Sequence, residues 1–84
     1  MASRECKRWT DEDGLHIDVR GLPPPEPLVA ILALLRGMQD PIPVIVHHDR
    51  DPVMLYPELA DIGWGAVRIA SPPGEVRLRL SCET

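Results

Sequence analysis

Leu15-His16-Ile17-Asp18-Val19-Arg20 alternates apolar and polar residues without a break, the period-two signature of a strand with one buried face. Leu15, Ile17 and Val19 are expected to face the core, and His16, Asp18 and Arg20 to face away. From Leu28 the period changes. Leu28, Ile31, Leu32 and Leu35 recur at i, i+3, i+4 and i+7, the core stripe of a helix. That helix is unusual, because Val29, Ala30, Ala33 and Leu34 leave its opposite side apolar as well, before Gly37 stops it. Ile42-Pro43-Val44-Ile45-Val46-His47 is nearly continuous in apolar character and predicts an inner strand, with Pro43 ahead of the ladder pairing. A second, shorter helix follows. Its expected buried set is Met54, Leu55, Leu59 and Ile62, with Asp51 as N-cap, Pro52 as first helical residue and Pro57 restarting or bending it. Trp64 to Ala70 and Glu75 to Ser81 are the last two strands, linked by the turn-forming Ser71-Pro72-Pro73-Gly74.

The order β-α-β-α-β-β places the chain in the α/β class, as an α+β two-layer sandwich. A four-stranded mixed sheet carries two helices on one side; strands separated by helices pair in parallel and the final hairpin is antiparallel. Residues 1–13 show no such pattern. They are polar and of mixed charge with only Trp9 large, and they read as a flexible N-terminal arm ending at the turn signal Asp13-Gly14. Residues 14–82 then form one domain, since 84 residues cannot be divided into two stable cores.

Composition narrows the function. Nine basic against thirteen acidic residues give a net charge of −4, and Trp9, Tyr56 and Trp64 are the only aromatics, so neither phosphate-backbone binding nor base stacking is supported and no nucleic acid is expected. The longest apolar run, Leu28 to Leu35, is too short to span a bilayer, so no membrane is expected either. The charged N-terminus has no apolar run behind it, which predicts neither a secretory signal nor a transit peptide. Cys6 and Cys82 lie near opposite ends without Cys-x-x-Cys spacing; they fit a reducing cytoplasm and read as incidental.

Two segments carry candidate chemistry. Asp18 to Leu28 joins the first strand to the first helix, where free backbone N–H groups can meet a ligand. Prolines 23, 24, 25 and 27 remove donors, however, and Glu26 already occupies the positive end of the helix, so the junction reads as a rigid, donor-poor elbow. The second segment is His47-His48-Asp49-Arg50-Asp51-Pro52. Both lie at the C-terminal ends of parallel strands, where open α/β sheets place ligands, so Arg20, Pro24, Glu26, His48, Asp49 and Tyr56 form a candidate ligand or partner patch. His47, His48 and Asp49 have metal-ligand residue types, but adjacent histidines on a strand point to opposite faces, and His16 joins them only if the first two strands pair. An ordinary capped loop is the plainer reading, and no metal or cofactor is expected. Arg68, Arg77 and Arg79 read as a solvated face. The outer side of the first helix (Val29, Ala30, Ala33, Leu34) is a candidate interface for a homodimer or protein partner, with the arm around Trp9 as an alternative cover.

Leu15 to Gly21, the Leu22-Pro23-Pro24-Pro25-Glu26-Pro27 junction, the apolar helix and the element order resemble the TusA/SirA-like sulfur-carrier superfamily, over about residues 15–81. The resemblance implies a two-layer sandwich like the C-terminal domain of translation initiation factor three, and a Gly-Leu-x-Cys-Pro-x-Pro hallmark at this junction. Gly21-Leu22 and Pro25-Glu26-Pro27 match it, while Pro24 stands at the cysteine position. The chain is more similar to an uncharacterised bacterial branch, a domain of unknown function lacking that cysteine, in which the second strand ends in a His/Asp/Arg-rich segment followed by Leu-Tyr-Pro, here Leu55-Tyr56-Pro57. Proline cannot replace a thiolate nucleophile, so the superfamily's sulfur transfer is not implied. No nucleophile with a matched base is readable. The expectation is a small cytoplasmic binding or interaction module. The alternatives are a carrier or enzyme of sulfur or redox metabolism acting through His48 and Asp49 or a partner's cysteine, and a metal-linked accessory domain.

Overall fold

A computed structural model describes residues 6–83, so the first five residues of the expected arm lie outside the described residues. Its elements are β1 (Lys7–Asp11), β2 (Gly14–Asp18), α1 (Glu26–Arg36), β3 (Val44–His48), α2 (Leu55–Asp61), β4 (Trp64–Ile69) and β5 (Val76–Cys82). They build a mixed sheet of five strands in the order β1-β2-β3-β5-β4, with two helices.

Two expectations about the sheet are corrected. The sheet has five strands rather than four, because Lys7–Asp11, inside the expected arm, pairs antiparallel with β2 from Lys7 opposite Asp18 to Asp11 opposite Gly14. Every residue of β1 is exposed, so no apolar alternation marks it, and its lysine and arginine suit a sheet edge. The Asp13-Gly14 signal is thus a hairpin turn. Gly14 has φ +130°, and a side chain there would run into the Pro43 carbonyl oxygen, which accepts the Leu15 N–H at 3.0 Å. The second correction concerns pairing. β2 and β3 are parallel, but β5 inserts between β3 and β4 and is antiparallel to both.

Both helices pack on one face of the sheet. Ile31, Leu32 and Leu35 of α1 and Leu55 and Leu59 of α2 meet Ile17, Val19, Val44, Val46, Leu78, Leu80 and Trp64 in a single core. Strand alternation sends the intervening residues to the other face, where the register aligns one row of Trp9, His16, Ile45, Arg79 and Val67 and a second of Lys7, Asp18, His47, Arg77 and Ile69.

α1 starts at Glu26 with Pro25 as N-cap and Pro27 in its first turn, where a missing N–H costs nothing. α2 departs further from expectation. Asp51 does not cap it; residues 52–54 form a turn in which the Leu55 N–H donates to Pro52 O at 2.8 Å, and Pro57 falls in the helix's first turn. Met54, expected inside, is 72% exposed. No described helix is long and apolar enough to cross a membrane.

Candidate functional site

The two histidines of β3 divide the candidate chemistry between the faces of the sheet. On the helix side, a cleft of about 310 Å³ opens between the β2–α1 elbow and the segment leading into α2. Leu22, Pro24, Pro27, Leu28, Ile31 and Met54 give it apolar walls. His48 lines it and is 4% exposed, while Arg50 and Asp51 lie at the rim. His48 Nδ1 accepts the backbone N–H groups of Asp49 (2.9 Å) and Arg50 (3.3 Å). The Asp49 carboxylate oxygen Oδ1 also lies 3.1 Å from Nδ1, and no described protein group bonds Nε2. The cleft therefore has one buried imidazole in a largely apolar lining.

Asp49 lies outside the cleft lining. Its Oδ2 accepts the Gly21 N–H at 3.1 Å, tying the end of β3 to the elbow. That bond, with His48 beside it, holds the Asp49 carboxyl below its ordinary range.

The rest of the expected patch disperses. Arg20 turns to the open face, where its guanidinium grips both oxygens of Asp18 (2.9 and 2.8 Å) and reaches Glu75 Oε1 at 3.3 Å. Tyr56 donates its hydroxyl to Asp51 Oδ1 at 2.6 Å, and burial together with that bond pushes its pKa up to about 12. Glu26 is half-buried at the start of α1, outside the cleft lining. Pro24 and His48 are the members that meet in the cleft. Along α1, Val29 is 59% exposed and Ala33 is exposed, whereas Ala30 and Leu34 pack partly against the core. Trp9 does not cover this side, because it belongs to the opposite face of the sheet.

On that open face lies a polar chain that sequence reasoning missed. His16 Nδ1 and His47 Nε2 are 2.8 Å apart, and His47 Nδ1 is 2.8 Å from Glu75 Oε2. Arg77 Nε donates to the same Glu75 oxygen at 2.9 Å. The Arg77 guanidinium, with His47, draws the Glu75 carboxyl below its usual range. Trp9 lies over the pair, its ring centroid 4.9 Å from that of His16 and 5.1 Å from that of His47. His16 faces away from the core as expected, and His47 shares that face, yet they are only 7% and 6% exposed because β1 carries this indole across them. At the hairpin turn, Asp11 Oδ2 lies 2.9 Å from His16 Nε2, and Asp11 Oδ1 accepts the Asp13 N–H at 2.8 Å. That backbone bond is the main reason the Asp11 carboxyl titrates low. The Asp-Gly hairpin signal at residues 13–14 was the one clue that a strand, and hence Trp9, would lie beside His16.

His47, committed at both ring nitrogens to the open face, is separated from His48 and Asp49, so these three do not assemble around one ion. Cys6 and Cys82 form no disulfide, and burial pushes the Cys6 thiol up, away from thiolate reactivity.

A family model described as "Uncharacterized conserved protein (DUF2249)" matches residues 16–81, from His16 in β2 to Ser81 in β5, and the chain belongs to this family. No curated protein matches the chain.

Proposed function

We propose that this member of the DUF2249 family is a small cytoplasmic binding module of the sulfur-carrier-like superfamily, without autonomous sulfur transfer, whose His48 cleft takes up a small molecule with an apolar body and a carboxylate or carbonyl acceptor. The observation that carries the reading is His48, 4% exposed, set among the largely apolar walls of a cleft about 310 Å³ in volume. Ligand sites of this size combine apolar walls with a few placed polar groups. Arg50 at the rim supplies the positive charge that favours a carboxylate. Support for the superfamily comes from the β-α-β-α-β-β order that follows β1 and from the elbow at Gly21 to Pro27. Support for the missing carrier chemistry comes from Pro24, which lines the cleft at the cysteine position. Cys6 and Cys82, which form no disulfide, suit a reducing compartment.

Amide NMR titration with aliphatic and aromatic monocarboxylates, beside their neutral esters, tests this. Saturable shifts are expected at residues 21–28 and 48–55, weakened by Arg50→Ala and abolished by His48→Phe. A panel that produces no saturable shift, or binding indifferent to both substitutions, overturns the reading.

Self-association through Val29 and Ala33 is a second reading, favoured by the exposure of Val29 on an apolar helix. Light scattering after size exclusion should show a mass that rises with concentration; a constant monomer mass excludes it.

A further inference from the structure

Among the described residues, Asp11, Asp13 and His16 bring three ligand-capable atoms within 4.8 Å of one another at the β1–β2 turn. Acidic side chains in an exposed turn carry no inference by themselves. His16 is the independent observation. Its side chain is 9% exposed, and its buried Nε2 makes no hydrogen bond, although Asp11 Oδ2 lies 2.9 Å away.

The hydrogen-bond chain behind His16 explains what Nε2 presents. Glu75, kept ionised by Arg77, accepts the His47 Nδ1 proton at 2.8 Å. His47 Nε2 then carries a lone pair and accepts the His16 Nδ1 proton, also at 2.8 Å. His16 is thereby assigned the tautomer whose Nε2 is unprotonated. A nitrogen lone pair and a carboxylate oxygen at 2.9 Å repel each other unless a cation lies against both.

We propose that this position binds a divalent first-row transition-metal ion through His16 Nε2 and one oxygen each of Asp11 and Asp13. One imidazole and two carboxylates suit Zn²⁺, Mn²⁺ or Fe²⁺. The His47–Glu75 chain is the outer-shell support that a metal-binding histidine requires, since it fixes both ring orientation and tautomer. Asp11 Oδ1 is held by the Asp13 N–H, which leaves Oδ2 for the ion. Asp13 is exposed, so its carboxylate is free to close to bonding distance. Three protein ligands leave coordination positions open, and they face a groove of about 550 Å³ that also contains Arg77 and Arg79. Those arginines favour an anion as the further ligand. The site lies on the face of the sheet opposite the His48 cleft and is independent of it.

Titration of the whole chain with Co²⁺ tests the site through two signals: visible absorption of the bound ion, and quenching of Trp9, whose ring is stacked 4.9 Å from that of His16. One saturable equivalent, displaced by Zn²⁺, is expected. Asp13→Asn, a change confined to the exposed turn, should weaken binding at least about tenfold; Glu75→Gln should weaken it about 10–100-fold without touching the ion. Asp61→Asn on α2 should leave it unchanged. If wild-type protein gives no saturable signal, a proton on His16 alone fills the position and the proposal falls; it falls equally if Asp13→Asn binds like wild type.

Discussion

The two faces of the sheet bury their residues by different physics. On the helix side, α1 and α2 exclude water with aliphatic side chains, and His48 is a buried polar member of that face whose Nδ1 accepts the next two backbone N–H groups. On the open side no helix packs. Two imidazoles are nonetheless almost as buried, because one indole from an edge strand covers them, they bond each other, and His47 bonds a carboxylate that two arginines also hold. The first arrangement supplies stability in proportion to apolar area and tolerates only changes that conserve volume. The second is cooperative in its polar groups, so loss of one member leaves others buried and unpaired.

Leu59→Ala should have the largest effect, about 2–5 kcal/mol of unfolding free energy in a denaturant titration, because it opens a cavity under α2. The histidine ring resonances of the open face should barely move in that variant; a large change would mean the two faces are not separate units. Glu75→Ala should cost about 1–3 kcal/mol, since it strands the His47 Nδ1–H and Arg77. It should also change the acid limb. Glu75 and Asp18 both titrate below their ordinary range, chiefly through Arg77 and Arg20 respectively. Their stabilisation is therefore complete above the unfolded carboxyl range near about pH 4 and is lost as pH falls through their lower folded values. Glu75→Ala should flatten that loss; an unchanged acid limb would show that the network adds nothing at neutral pH.

Trp9→Ala comes next, at about 0.5–1.5 kcal/mol for the lost ring stacking. Its sharper readout is hydrogen exchange of the His16 and His47 ring protons, which should accelerate if the indole is what keeps water off. The smallest effect belongs to the helix side. Asp51→Asn should lower the Tyr56 pKa from about 12 toward its ordinary value, followed by tyrosinate absorbance. Because the folded value is raised, this bond's stabilisation is full below the unfolded tyrosine pKa of about 10 and disappears as pH rises toward 12. A Tyr56 titration unaltered by Asp51→Asn would mean that burial alone raises it.

Much of the fold was legible in local pattern. The alternation from Leu15 to Arg20, the stripe from Leu28 to Leu35 and the alternation from Val76 to Leu80 report directly which face each residue shows to the core, because apolar burial imposes the period of the backbone on the sequence. The donor-poor elbow was equally readable, since proline carries its geometry with it. Element order likewise restricted the architecture to a mixed sheet with helices on one side.

Tertiary structure alone decided the rest. Lys7–Asp11 has no buried face, so its role as a strand depends on β2 offering an open edge. Asp51 has the residue type of a helix cap yet bonds Tyr56, because the chain turns once more before α2 begins. Arg20 leaves the cleft for Glu75, a residue 55 positions away that β5 delivers to the open face. His16 and His47 meet across a parallel pairing, under a tryptophan from a strand that left no periodic trace. Contacts between residues far apart in the chain obey no sequence period; strand order and register create them, and that is where both candidate sites arise.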